Sequence, residues 1–302
     1  MKLIAGIFIS LLGLSALTSC NSGNSSSATA EDTTSKQGDT ATAAPVSTGS
    51  TANFKLGVQM WTFRMFSVAD ALNKVDSAGI KSIEAFFGQK LGGGMTGNFG
   101  PEMNAATRAK LKALLQSKGI SIVAMGVISP ANKAEWVKAF DLAKDFGLSY
   151  ITAEPKKDQW DVVDSLAGAY GIKVAIHDHP KPNAYSAPDS VLAAVKGHNN
   201  IGSCADIGHW ARNGYNPVDC LKKLEGHIFG AHLKDIVKFD DPEAADTIVS
   251  KGVIDIPAVL AELKRQSFNG MLSIEHESNW YNNLPDVIFT KKYYDDEVAK
   301  LK

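Results

Sequence analysis

Between Leu56 and Lys302 the chain repeats one two-part unit eight times, a short β-rich run followed by a stretch with helical spacing. The runs cover residues 56–61, 80–86, 120–126, 149–154, 172–178, 201–206, 228–234 and 271–275. Helical patterns lie between them at 69–77, 105–117, 133–146, 159–169, 190–196, 217–224 and 257–266, and 284–302 reads as a closing helix. Parallel strands need a long crossover between them, and strands alternating with helices are the mark of parallel βα units. Several units share one turn, as in Ser117-Lys118-Gly119-Ile120 and Asp145-Phe146-Gly147-Leu148, where glycine ends a helix and a strand follows. Eight such units in roughly 250 residues predict one α/β domain, a closed (β/α)8 TIM barrel. A doubly wound open sheet would usually carry a glycine-rich phosphate turn after its first strand. Here that turn is Trp61-Thr62-Phe63-Arg64. The Gly92-Gly93-Gly94 cluster reads as a flexible loop, since no Lys-Ser/Thr follows it to make a phosphate cradle.

The N-terminus carries a different message. Lys2 precedes an apolar run that ends at Leu17-Thr18-Ser19-Cys20. This is a secretory signal, too short for a spanning helix, and the small residue before Cys20 resembles the lipobox of bacterial lipoproteins. Residues 1–19 are therefore expected to be a signal peptide with Cys20 lipidated. Residues 20–53 are rich in Ser, Thr and Ala and read as a flexible tether, and residues 54–302 as the barrel. The expected location is outside the cytoplasm, on a membrane through the lipid anchor. A formal net charge of −1 offers no basic footprint for nucleic acid. Cys204 and Cys220 are expected to be two buried thiols.

In such barrels chemistry sits at the C-terminal ends of the strands. Those ends present Gln59 and Trp61, Glu84, Met125, Glu154, His177 and His179, Asp206 and His209, His232 and Lys234, then Glu275. Strand side chains alternate faces, so Gly202, Cys204 and Asp206 share one face, as do Gly230, His232 and Lys234. Thr152 with Glu154 and Ser273 with Glu275 follow the same parity. Three carboxylates and an imidazole converging on one mouth would repel without a cation. Glu154, Asp206, His232 and Glu275 are accordingly assigned as ligands of a divalent metal ion, Mn, Mg or Co, with Zn also suited. Gln59, Trp61 and Glu84 are candidates for binding a sugar, the indole by stacking, and His177 and His179 for binding hydroxyls or relaying protons.

The spaced set resembles the sugar phosphate isomerase/epimerase family of xylose isomerase-like barrels over roughly residues 56–281. The pattern is Glu154 on strand four, Asp206-x-x-His209 after strand six, His232 on strand seven and Glu275 on strand eight. The resemblance implies that Glu154 and Glu275 act as acid and base and that His209 contacts a sugar oxygen. One departure is clear: the similar epimerases carry an Arg shortly after the strand-seven His, where this chain has His232-Leu233-Lys234-Asp235-Ile236. Lys234 is the candidate to supply that positive charge.

A metal chelating a carbonyl oxygen and the adjacent hydroxyl acidifies the C–H between them, because the enediolate left on proton loss is held by the cation. A carboxylate then removes the proton and another group returns it, with Lys234 suited to the developing oxyanion. The expected function is a divalent-metal-dependent sugar isomerase or epimerase. The alternatives are a metal-dependent lyase that cleaves 3-keto-glycosides by β-elimination, and a non-catalytic sugar-binding lipoprotein. Either enzyme reading makes the partner a small sugar or keto-glycoside, with no nucleic acid, and allows a homo-oligomer. The barrel of endonuclease IV is disfavoured by neutral charge, export and few histidines.

Overall fold

In the computed structural model, which describes residues 54–301, the eight runs close into a parallel barrel. The signal peptide, the lipidated Cys20 and the tether expected over residues 1–53 lie outside the described residues, as does Lys302. The barrel strands are β1 Lys55–Gln59, β2 Ser82–Ala85, β3 Ser121–Ile128, β4 Tyr150–Ala153, β5 Lys173–His177, β6 Ile201–Asp206, β7 Ile228–Leu233 and β8 Met271–Ile274. They hydrogen-bond in the order β1-β8-β7-β6-β5-β4-β3-β2, and β1 pairs with β2 to close the ring.

Around them run α1 Val68–Ser77, α2 Ala105–Lys118, α3 Lys133–Phe146, α4 Trp160–Tyr170, α5 Pro188–Val195, α6 Ile207–Arg212, α7 Pro217–Lys223, α8 Ile256–Arg265 and α9 Leu284–Lys300. Ser67, Asn104 and Asn132 cap α1, α2 and α3 by accepting a backbone N–H inside the first turn. Gly119 and Gly147 end α2 and α3 in the left-handed conformation, at φ 60° and 70°, as the repeated turn predicts. Leu72, Trp136, Phe140 and Leu260 are fully buried in the layer between helices and strands. Truncating such a residue to Ala costs about 2–5 kcal/mol.

Inside the barrel, Ala124, Tyr150, Ala175, Cys204 and Met271 form a second, smaller core. The small face of β7 explains how they fit. A Cβ at Gly230 would lie 2.4 Å from the Tyr150 hydroxyl, so glycine leaves room for that ring in the barrel interior. Cys204 and Cys220 are both buried and unbridged, and burial pushes their thiols up to about 12.

Three local expectations need correction. Strand β1 stops at Gln59 and Trp61 rides on a single 3-10 turn, Met60–Phe63. The triple glycine is not a loose loop. It forms the turn of a hairpin pairing Lys90–Gly92 with Met95–Asn98, with Gly93 and Gly94 at φ 57° and 74°, the positive values a tight hairpin turn requires. A second hairpin, Asp235–Ile236 with Asp246–Thr247, follows β7 in a stretch the sequence reading left without structure. Among the described residues no helix is long and apolar enough to cross a membrane.

Candidate metal centre

Register places the first donors. Asp206 on β6 is the lateral partner of His232 on β7, and His232 is the partner of Ser273 on β8, so all three stand at one level of the barrel. Asp206 ends its strand and caps α6: its Oδ1 accepts the N–H groups of Gly208 and His209, both at 2.9 Å. That leaves Oδ2 turned into the barrel, buried and without a hydrogen-bond partner. Glu275 follows β8 and presents an equally orphaned Oε2, 2.8 Å from His232 Nδ1. His177, at the end of β5, brings Nε2 to 3.0 Å from that same Nδ1 and 3.6 Å from Asp206 Oδ2.

These four residues, His177, Asp206, His232 and Glu275, each offer a donor atom within 4.8 Å of all the others, and all four are buried. Buried carboxylate oxygens that accept no hydrogen bond are costly, and a divalent cation would satisfy both at once, where Lys234 meets them only as an ion pair. Charge agrees with this fit. Two carboxylates neutralise a 2+ ion, while Lys234, fully buried, sets its ammonium 2.8 Å from Glu277 and 3.3 Å from each of Asp206 and Glu275.

Two expected site residues lie elsewhere. Glu154 is set back from the group: its Oε1 is 3.9 Å from His177 Nδ1, and it bonds His179 Nδ1 and the Asn183 amide, the latter at 3.0 Å. His177, expected to touch substrate, stands in the position expected of Glu154. Strand β4 ends at Ala153, which puts the glutamate beyond the pleat and behind the imidazole. Glu84, expected in the sugar subsite, is fully buried beneath the site, 3.0 Å from His232 Nε2 and 2.9 Å from the Ser273 hydroxyl.

The remaining candidates do meet at one cavity of about 460 Å³, lined by Gln59, Trp61, His177, His179, His209 and Glu275 together with Phe86 and Phe87. Its size suits a small organic ligand. Gln59 spans from the Gly126 carbonyl to the Trp61 N–H, which fixes the 3-10 turn, and the Trp61 indole N–H donates to Glu277 at 3.1 Å.

Two wall residues, Glu277 and Arg212, escaped the sequence reading. Glu277 lies two residues past Glu275, and extending the strand parity would have found it. Arg212 lies three residues past His209, one helical turn along α6, and the helical spacing was the missed signal. Its guanidinium is anchored by the Ala244 carbonyl at 2.9 Å and by Asp246 of the second hairpin, and it donates to His209 Nδ1 at 2.9 Å. A positive group thus reaches the cavity from α6 rather than from the segment after β7. Asp235 does not pair with Lys234. Its carboxylate instead accepts backbone N–H groups of Ile236, Ser250, Gly252 and Ile254 and folds the loop outside the barrel.

Electrostatics sharpen the roles. Burial alone would strip Lys234 of its proton, but Asp206, Glu275 and Glu277 outweigh it and keep the ammonium charged. Burial would likewise raise Glu277, yet Lys234 and the Trp61 N–H hold it at about 2. Burial works to lower His177 and is overcome by Asp206 and Glu154, which lift it to about 9. His209, in contrast, is kept well below its ordinary value, first by burial. It is a neutral imidazole that accepts from Arg212 on Nδ1 and therefore carries its proton on Nε2.

The sequence profile of the family described as "Xylose isomerase-like TIM barrel" matches residues 72–301. A crystal structure of an uncharacterised protein from Parabacteroides distasonis is 35% identical, with a TM-score of 0.67, and the match covers 81% of this chain and 99% of that one. The inosose isomerase of Bacillus velezensis is 27% identical over 165 residues, 47% of this chain and 58% of the relative. The inosose dehydratase of Clostridium botulinum is 30% identical over 129 residues, 38% and 43% of the two chains. The chain spans about half the length of these curated relatives. Profile, structural likeness and the closed eight-stranded barrel agree, and the chain belongs to the xylose isomerase-like TIM barrel family.

Proposed function

We propose that this protein is a metal-dependent carbohydrate isomerase or epimerase that moves a proton on a carbon next to a carbonyl. The observation that carries this reading is the convergence of His177, Asp206, His232 and Glu275 at the floor of a sugar-sized cavity whose walls carry further proton-transfer groups. A divalent ion held there supplies Lewis acidity, drawing charge from a carbonyl oxygen so that the neighbouring C–H becomes acidic. Two imidazoles among the donors favour Mn, Co or Zn over Mg.

The chain's own residues divide the remaining work. His179 lines the cavity and its Nδ1 bonds Glu154, which orients the ring and leaves Nε2 free to take or return a proton. Glu154 therefore acts through His179 rather than on substrate. Glu275 follows β8, three strands round the ring from β5, and furnishes the second proton carrier, while Glu277 stays ionised beside Lys234. His209 offers its Nε2–H to a hydroxyl, and Lys234 with Arg212 counters the negative charge that builds on oxygen. Phe86 meets Trp61 edge-on, with centroids 5.1 Å apart, and gives the cavity an apolar wall for a sugar ring.

A second reading, β-elimination, shares the proton abstraction and differs in what leaves the next carbon: water, or the aglycone of a 3-keto-glycoside. Its support is the inosose dehydratase among the relatives and the pair of cations beside the cavity. Export as a lipoprotein, read from residues 1–20, would bring the protein free sugars and glycosides rather than sugar phosphates.

The test is NMR of the purified protein with Mn or Zn in D2O, against ketoses, aldoses, inososes and 3-keto-glycosides. Deuterium entering beside a carbonyl, with a new epimer or isomer, is the expected result. Release of water or aglycone with an unsaturated ketone gives the reaction to the lyase reading. No metal uptake, together with binding of unchanged sugar, would leave a sugar-binding lipoprotein instead.

A further inference from the structure

The site has a floor beneath the four donors, and its chemistry is as ordered as theirs. Glu84 on β2 is fully buried, below the cavity and away from any path for substrate. Its Oε2 accepts the Ser273 hydroxyl at 2.9 Å and lies 3.0 Å from His232 Nε2. Ser273 and His232 are lateral partners on β8 and β7, so backbone register sets the hydroxyl beside the imidazole, and Glu84 reaches both from β2, two strands round the ring from β8. A carboxylate facing a ring nitrogen in a dry interior stabilises a proton on that nitrogen. The other nitrogen, Nδ1, then keeps its lone pair, and it is Nδ1 that lies 3.5 Å from Asp206 Oδ2 and 2.8 Å from Glu275 Oε2.

Resting on the metal-dependent reading of the site, we propose that Glu84 is a positioning residue: held by Ser273, it fixes His232 as the Nε2–H tautomer and so presents Nδ1 to the ion. Imidazole ligands gain basicity and a fixed orientation from such a partner. A rival arrangement exists on the same ring, because Glu84, Cys204 and His232 also lie close enough together to hold an ion through Nε2. Glu84 Oε1 is itself without a hydrogen-bond partner, but that space is sealed from the cavity, and the other side of the ring has two such carboxylate oxygens, from Asp206 and Glu275.

The experiment measures Zn and Mn affinity by chelator competition for the wild type, Glu84→Gln, Glu84→Ala, Ser273→Ala, Cys204→Ser and Asp206→Asn. For the wild type and the Glu84 and Ser273 variants it also reads the His232 tautomer by 15N NMR of the metal-free protein titrated to alkaline pH, where the raised imidazole has lost one of its two protons. Wild type should bind the ion and show a protonated Nε2. Glu84→Gln keeps an acceptor without its charge and should weaken affinity about 10-fold, and Glu84→Ala about 100-fold with loss of the Nε2–H signature. Ser273→Ala, the mildest change, should cost a few-fold and serves if the Glu84 variants do not fold. A residue with only a packing role would shift the melting temperature without moving the tautomer. Wild-type binding that survives both Glu84 substitutions within threefold, or that is lost in Cys204→Ser but kept in Asp206→Asn, overturns the assignment and leaves the metal-dependent reading standing. Absence of metal binding in the wild type overturns both.

Discussion

Lys234 holds its ammonium 3.3 Å from Asp206 Oδ2, an oxygen that also belongs to the metal-donor group. Lysine and metal therefore share one anion, and each partly neutralises the site for the other. Removing the lysine leaves Asp206, Glu275 and Glu277 with less positive charge around them. Losing one partner of a buried ion pair costs about 3–5 kcal/mol, so Lys234→Met should melt well below wild type when stripped of metal. Added Zn or Mn should recover more stability in the variant than in the wild type, because the ion then meets a more negative cage. Thermal melts with and without metal check this, and equal metal-induced shifts in the two proteins would refute it.

In the structure His177 rather than Glu154 joins the converging donors, and the difference can be measured. With His177 among the four converging donors and Glu154 behind it, His177→Ala should lower metal affinity at least 100-fold. Glu154→Gln should leave affinity within about threefold, yet slow proton exchange on substrate about 10²-fold through misorientation of His179. Calorimetry against metal for both variants decides the matter. Equal loss of affinity would make Glu154 a ligand after all.

The barrel was legible because periodicity and turn glycines are local signals, and each strand-helix unit carries its own copy. The end-of-strand parity also survived, since side chains at i and i+2 must share a face whatever the surroundings: Cys204 with Asp206, and His232 with Lys234, all point inward as expected. Parity could not say how far along the barrel each residue stands. Glu84 falls a layer too low to reach the cavity, and Glu154 falls just past the end of its strand. Register between neighbouring strands sets those heights, and it is a property of pairs that a single strand's sequence does not contain. Arg212 and Asp246 were hidden for a related reason. They matter only through contacts between α6 and a hairpin more than thirty residues away in the chain.

Metal binding should release protons. In the metal-free protein His177 titrates at about 9, above its ordinary 6.5, and His232 is also pushed up. A histidine raised in the folded state stabilises the metal-free fold fully below pH 6.5 and loses that contribution as pH climbs through about 9. The ion competes with the same protons. Each imidazole proton displaced contributes up to about tenfold per pH unit, so metal affinity should rise by up to about a hundredfold per pH unit between 6.5 and 9. Calorimetry at pH 7 in two buffers of different ionisation enthalpy should report net proton release, and a buffer-independent heat would contradict this protonation state.

The reading of residues 1–20 as a lipoprotein signal has its own test. Expressed in a bacterium and fed labelled palmitate, the full chain should take up the label in the membrane fraction, and Cys20→Ser should abolish uptake. Labelled acid retained in the variant would dismiss Cys20 as the anchor.

Arg212 gives the sharpest prediction about substrate. Its guanidinium spends three N–H directions on the Ala244 carbonyl, Asp246 and His209, and it still borders the cavity. Fixed at both ends, it has two effects: it presents charge to substrate oxygens, and it keeps the His209 proton on Nε2, facing the site. Lysine could supply the charge but not the fork that binds Asp246 and His209 together. Arg212→Lys should therefore behave more like Arg212→Met than like wild type, each losing about 10²-fold in kcat/KM for deuterium exchange beside the carbonyl. Metal affinity should stay within threefold, since no guanidinium nitrogen belongs to the donor group. Near-normal turnover in Arg212→Lys would show that charge alone matters, and a parallel loss of metal would show that Arg212 supports the cage rather than the substrate.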